Sequence, residues 1–130
     1  KGARVNSIMT GILGGISVAD RVHVTAYYAG QPHKPGAARN RDTLELGQRV
    51  FRAGVPERGV PACSGCHSPS GAGIPSQYPR LAGQHAEYTI AQLKAFHDGT
   101  RRNNLPMTQI AARLTEAEVN AVADYVAGLR

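Results

Sequence analysis

The sequence predicts an all-α fold with three main helices separated by two long loops, and an extra helix ahead of them. Three observations lead there. Apolar residues recur at helical intervals near residues 42–54, 85–97 and 115–128, whereas residues 55–83 and 100–114 are irregular and lack that period. No segment alternates apolar and polar residues as a half-buried strand does. The chain has 130 residues, enough for one ordinary domain or for one domain with an appendage.

The elements follow in order. Residues 4–30 form an amphipathic segment around Met9, and residues 31–41 (QPHKPGAARNR) read as a linker, with two prolines and no apolar period. Asp42 is placed to cap a helix, with Glu45 three positions on, and Leu44, Leu46, Val50 and Phe51 give it an apolar face until Gly54 stops it. Gly47 inside this helix costs about 1 kcal/mol against Ala, which points to close approach by another helix. The next helix runs from about His85 to His97, with Ile90, Leu93 and Phe96 on one face and Gly99 as its stop. Thr115 and Glu118 make a capping box for the last helix, whose stripe is Val119, Val122, Val126 and Leu129.

Composition narrows the function. Hydrophobic residues make up 42% of the chain but aromatic residues only 5%, with no Trp, so a bulky buried cofactor would complete the core. No window approaches 18 uninterrupted apolar residues, and the start at Lys1 shows no secretory signal, although a removed one would leave no trace. The net charge of +6 favours partners with acidic surfaces. Its positive residues are scattered rather than drawn into a basic stripe with interleaved aromatics, so nucleic acid is not expected as a partner.

The only two cysteines lie in Cys63-Ser64-Gly65-Cys66-His67. A dithiol redox centre would expect flanking strands, and none are predicted. A zinc site needs four ligands, but His23, His33, His85 and His97 offer no pair three to five residues apart. A plain disulfide leaves His67 without a role. Covalent haem attachment uses every position: two thiols on one turn bond to one edge of a porphyrin, and the next residue presents imidazole to the iron. The iron then needs a sixth ligand or an open face. Of the two methionines, Met9 and Met107, the sequence favours Met107, which lies in the second loop behind the stiff Pro106. A thioether opposite imidazole raises the potential and suits electron transfer.

On these residues the segment 42–130 resembles the class I bacterial cytochromes c. The motifs are Leu44-x-x-Gly47-x-x-x-Phe51, CSGCH, YPRLAGQ from Tyr78 to Gln84, a helix with Tyr88, Leu93 and Phe96, then NNLPM and VADYVAGL. The resemblance implies the class I cytochrome c fold with one covalent haem c on Cys63 and Cys66 and iron ligands His67 and Met107. It implies that Gly47 and Phe51 cross the last helix near Tyr125, that Pro79 offers its carbonyl to the His67 ring, and that Leu81 packs on the haem. Arg80, Arg101 and Asn104 become candidates for the propionates or the ligand loop, while Tyr88, Leu93, Phe96 and Pro106 complete the expected pocket.

An internal repeat bears on the N-terminal segment. With an offset of 98 residues, Arg4–Gln31 lies over Arg102–Leu129 with ten of 28 positions identical, among them Asn6/Asn104, Met9/Met107, Thr10/Thr108 and Tyr27/Tyr125. Chance gives about two. Residues 1–30 therefore read as the ligand loop and closing helix of a truncated preceding domain, with Met9 a relic ligand, and the whole resembles the two-haem bacterial cytochromes c. A helix whose apolar face, including Ile12, Leu13, Ile16 and Val24, has lost its own domain is expected to bury that face against another copy, giving a possible dimer through residues 1–30.

The function expected is single-electron transfer by a low-spin haem in a bacterial respiratory chain. By resemblance the location is the periplasm, soluble or membrane-associated. The partners are redox proteins with acidic docking surfaces: a dehydrogenase or quinol-oxidising complex as donor, a terminal oxidase as acceptor. The alternative is a haem peroxidase or gas-binding sensor with an open distal site.

Overall fold

The computed structural model describes residues 6–34 and 36–130. Arg4, the first position of the repeat, and Pro35 of the linker lie outside them. The chain divides between Lys34 and Pro35 into two compact units.

The first unit holds α1 (Ser7–Gly14) and α2 (Val18–Ala29). One extra helix was expected, but the chain breaks after Gly14, and Ser17, in extended backbone, caps α2 by accepting the Asp20 N–H at 3.1 Å. Arg21 reaches back across the break, donating to the carbonyls of Leu13 and Ile16. Neither helix has a buried residue.

The second unit is all-helical among the described residues, with only two isolated bridges, Val55–Val60 and Ile74–Tyr78, in place of strands. Its frame is α3 (Leu44–Ala53), α5 (Ala86–His97) and α7 (Glu116–Gly128). Helix α3 packs most extensively on α7, and α5 packs on α7 beside it. At the crossing a Cβ on Gly47 would lie 2.3 Å from the Ala121 carbonyl oxygen and 2.7 Å from the Tyr125 Cβ, so only glycine fits without a shift. Around it Val50, Phe51, Val122 and Val126 form the buried centre of the core, and Phe51 meets the Tyr125 ring at 5.6 Å.

Two expectations about local structure change. Asp42 does not cap α3: its own N–H goes to the Asn40 side chain, and the helix starts behind Thr43 with no side-chain cap. The reason is an earlier anchor. Asp124 on α7 accepts the N–H groups of Arg39 and Asn40, so the chain approaches α3 already tied down. The second long loop is not wholly irregular either, because it folds into α6 (Leu105–Ala111) behind the Asn104 cap. The first long loop contains a 3₁₀ turn, Pro56–Arg58, and the short helix α4 (Ser64–His67).

The α7 capping box forms as the sequence indicates, Thr115 and Glu118 bonding reciprocally. Glu118 is buried and also receives the Arg58 guanidinium. Burial alone would raise its pKa, but bonds from the Thr115 N–H and hydroxyl and from Arg58 outweigh it and hold the carboxyl below its ordinary value. Arg58 also donates to the Arg113 carbonyl and Arg113 to the Gly59 carbonyl, which fastens the 3₁₀ turn to the α6–α7 junction.

Candidate haem site

Helix α4 places both cysteines and His67 on a single turn. Cys63 stands at its N-terminus and the His67 N–H donates to the Cys63 carbonyl at 2.9 Å. The thiols are not joined in a disulfide: Cys63 is half-buried with Sγ 3.8 Å from the Val50 carbonyl, and Cys66 is exposed. Burial pushes the Cys63 thiol up to about 11, with the Cys66 thiol adding to the rise and a backbone hydrogen bond opposing it.

His67 is only 7% exposed. Its Nδ1 lies 2.8 Å from the Pro79 carbonyl oxygen, which fixes Nδ1 as the protonated donor and leaves Nε2 as the lone-pair nitrogen. Tight loop geometry sets this contact. The Gly73 N–H donates to the His67 carbonyl at 2.9 Å, Ile74 and Tyr78 exchange two backbone bonds, and the Tyr78 ring stands edge-on to the imidazole at 6.0 Å. Gly73 has φ +75, and a Cβ there would lie 2.5 Å from the Tyr78 carbonyl oxygen, so glycine lets the chain fold back over itself at this point. The role of Tyr78 was not assigned from sequence, although its motif was visible. A cavity of about 420 Å³ opens in the same loop, lined by Pro75, Tyr78, Pro79 and Arg80 among others.

Met107 is not in a loop but in the first turn of α6, half-buried, its N–H held by the Asn104 side chain at 2.9 Å. Pro106 precedes it and is exposed. Leu81 and Leu93, like Cys63, are partly buried and pack against the core, Phe96 is buried, and Tyr88 is 40% exposed on α5. Arg101 lies over the Phe96 ring at 4.3 Å and donates to Gln92 and Asn103. Arg80 is exposed and donates to the Ala82 carbonyl. Met9, in the other unit, is 50% exposed.

The donor set fits haem. Two reduced thiols share a turn with an imidazole whose Nε2 is free, and partly buried aliphatic side chains, Leu81, Ile90, Leu93 and Ile110, offer an apolar lining for a flat macrocycle. Among the described residues no three His, Cys, Asp or Glu side chains gather to hold a metal ion.

The family model for cytochrome c matches residues 44–130. The chain belongs to the cytochrome c family. It is 42% identical over 125 residues to cytochrome c4 of Azotobacter vinelandii, covering 93% of this chain and 59% of that protein. It is 39% identical to a thiosulfate dehydrogenase electron acceptor of Stutzerimonas stutzeri, covering 98% of the chain and 61% of the relative. Reduced cytochrome c4 from Pseudomonas stutzeri superposes with a TM-score of 0.88 at 36% identity, over 98% of this chain and 68% of that one. The chain thus spans about three fifths of the length of those two curated relatives. Membership makes it a haem protein, homologous to the cytochromes c4, with a covalent c-type haem on Cys63 and Cys66. No described helix is long and apolar enough to cross a membrane.

Proposed function

We propose that this domain is a single-electron carrier of the bacterial periplasm whose haem iron takes His67 and Met107 as axial ligands. The observation that carries the reading is the buried His67, whose Nδ1 is committed to the Pro79 carbonyl so that only Nε2 is left for iron. The haem, when bound, supplies the low-spin one-electron couple. The protein would supply the rest: Cys63 and Cys66 would hold the group covalently, the Pro79 carbonyl orients His67 and increases its donor strength, and Met107 would take the iron position where oxygen or peroxide otherwise binds. A carrier that keeps both faces closed exchanges electrons without binding substrate.

The route is from a dehydrogenase or quinol-oxidising complex to a terminal oxidase in a respiratory chain. Relatives named as electron acceptors of thiosulfate dehydrogenase support a dehydrogenase as donor. The +6 formal charge favours acidic docking faces on both partners, although two propionates lower it by about two.

Residues 1–30 belong, in this proposal, to a preceding haem domain of a two-haem cytochrome. The repeat extends to backbone geometry. Helices α1 and α2 begin 98 residues before α6 and α7, and both pairs use an Asn cap followed by a Ser or Thr cap. The α7 residues Val122 and Val126 are buried, whereas their counterparts Val24 and Tyr28 are 44% and 70% exposed. Helices equivalent to α3 and α5 of that domain would cover them, and in their absence a second copy would.

The test is spectroscopic. The ferric protein is expected to show the weak Met-to-iron charge-transfer band, and Met107→Ala to lose it, lower the potential and admit carbon monoxide to the reduced protein. A high-spin ferric spectrum, or carbon monoxide binding as fast in the parent as in the variant, would support an open-site peroxidase or sensor instead. Haem quantification with intact mass tests the second domain: two haems on a longer chain support it, and a 130-residue species with one haem should dimerise in sedimentation.

A further inference from the structure

The Asn104 cap carries an inference that rests on the proposed Met107 ligation. Helix α6 has only seven residues, too few to be stable alone, and its second position is Pro106, which has no N–H to be capped. Its first turn is gathered on Asn104. The side-chain Oδ1 accepts the Met107 N–H at 2.9 Å, and the Asn104 carbonyl accepts both the Thr108 N–H at 3.1 Å and the Thr108 hydroxyl at 3.0 Å. Asn104 itself is extended, with φ −150 and ψ 109, so the chain turns helical just ahead of the methionine.

The same construction stands in the other unit. Asn6 has φ −147 and ψ 112, its Oδ1 accepts the Met9 N–H at 2.9 Å, and its carbonyl accepts the Thr10 N–H at 2.8 Å. The surroundings differ. Ile8 replaces Pro106, and α1 buries nothing where α6 buries Ala111. What the two turns share is therefore Asn, Met and Thr in one local hydrogen-bond pattern, independent of packing.

We propose that Asn104 is a positioning residue for Met107: its cap fixes the backbone from which the thioether reaches the haem iron and resists replacement of that thioether by an external ligand. An Ala in place of an N-cap residue weakens the helix start enough to raise local opening about fivefold. Opening at this turn withdraws Met107 from its seat.

The experiment measures carbon monoxide binding to the reduced holoprotein, the ferric charge-transfer band and the melting temperature. Asn104→Ala is expected to bind carbon monoxide about fivefold faster than the parent, and Asn104→Ser, which keeps a capping oxygen, to return most of the way. Thr115→Ala removes a cap from the neighbouring α7 without touching the methionine turn, so it should lower the melting temperature and leave the rate unchanged. Thr108→Val, which deletes only the hydroxyl bond to Asn104, gives a smaller rise and serves if the Ala variant yields no holoprotein. The proposal is overturned if Asn104→Ala, or Thr108→Val in its place, shifts only the melting temperature, or if Thr115→Ala accelerates binding equally. Met107→Ala separates the two levels of failure. If it retains the band, the ligation is wrong; if it loses the band while the Asn104 and Thr108 variants keep the parent rate, only the positioning role is wrong.

Discussion

Replacing Gly47 by Ala puts the α3–α7 crossing to a quantitative test. The added Cβ would stand 2.3 Å from the Ala121 carbonyl oxygen, 2.7 Å from the Tyr125 Cβ and 2.8 Å from the Ala121 carbonyl carbon. Comfortable contact begins at about 3.5 Å, so the helices must part by roughly 1 Å. Two of those obstacles are backbone atoms inside α7, which cannot swing aside as a flexible side-chain tip would. Overpacking of this kind costs about 3 kcal/mol, and the better helix propensity of Ala offsets about 1 of it. The net loss of about 2 kcal/mol corresponds to a fall of about 10 °C in a domain this size. Thermal unfolding of the holoprotein followed by far-ultraviolet circular dichroism measures it. Gly11→Ala is the control, since a Cβ there meets nothing within 4 Å. A Gly47→Ala protein that melts at or above the parent would refute the argument from close approach.

Other outcomes follow from the polar contacts. Glu118 has its pKa held below the ordinary value in the folded state, so its contribution is present above the unfolded pKa of about 4.5 and is lost as pH falls through the lower folded value. Urea midpoints of parent and Glu118→Gln should accordingly differ most at neutral pH and converge in acid; a constant gap down to pH 3 would count against the ionised pair. Asp124→Asn should weaken two charge-assisted bonds and release the Arg39 and Asn40 amides to hydrogen exchange, at a cost of about 2 kcal/mol. Unchanged protection of those amides would show that residues 36–40 are held by other contacts. Phe51→Ala empties the centre of the core and should cost about 4 kcal/mol in denaturant unfolding; a loss below 1 would mean that the site collapses onto Tyr125.

Much of this was legible in the sequence because local signals and packing agree. The Thr115–Glu118 box and the Val119-Val122-Val126 stripe specify α7 from both sides, and Gly47 announces its crossing because an unhelpful residue in a helix needs a reason to be there. Cys63, Cys66 and His67 are legible for a similar reason, since the chemistry demands their spacing. Where reading failed, a long-range contact displaced a local one. Asp42 looked like a cap, but the Asp124 carboxylate, over eighty residues away, had already taken the N–H groups of Arg39 and Asn40 and set the entry to α3. Helix α6 was read as loop because Pro106 and a run of polar residues mask a seven-residue helix whose period is too short to register. The Arg58–Glu118 pair joins a loop to a helix and has no sequence signature at all.

The closeness of Cys63 to Val50 also links the cofactor to the helical frame. Its sulfur is half-buried and lies 3.8 Å from the Val50 carbonyl oxygen on α3. Helices α3 and α7 are about sixty residues distant in sequence, and bringing them together costs about 4 kcal/mol of chain entropy. A haem bonded through Cys63 is therefore tied directly to the helix that has to find α7 across that distance.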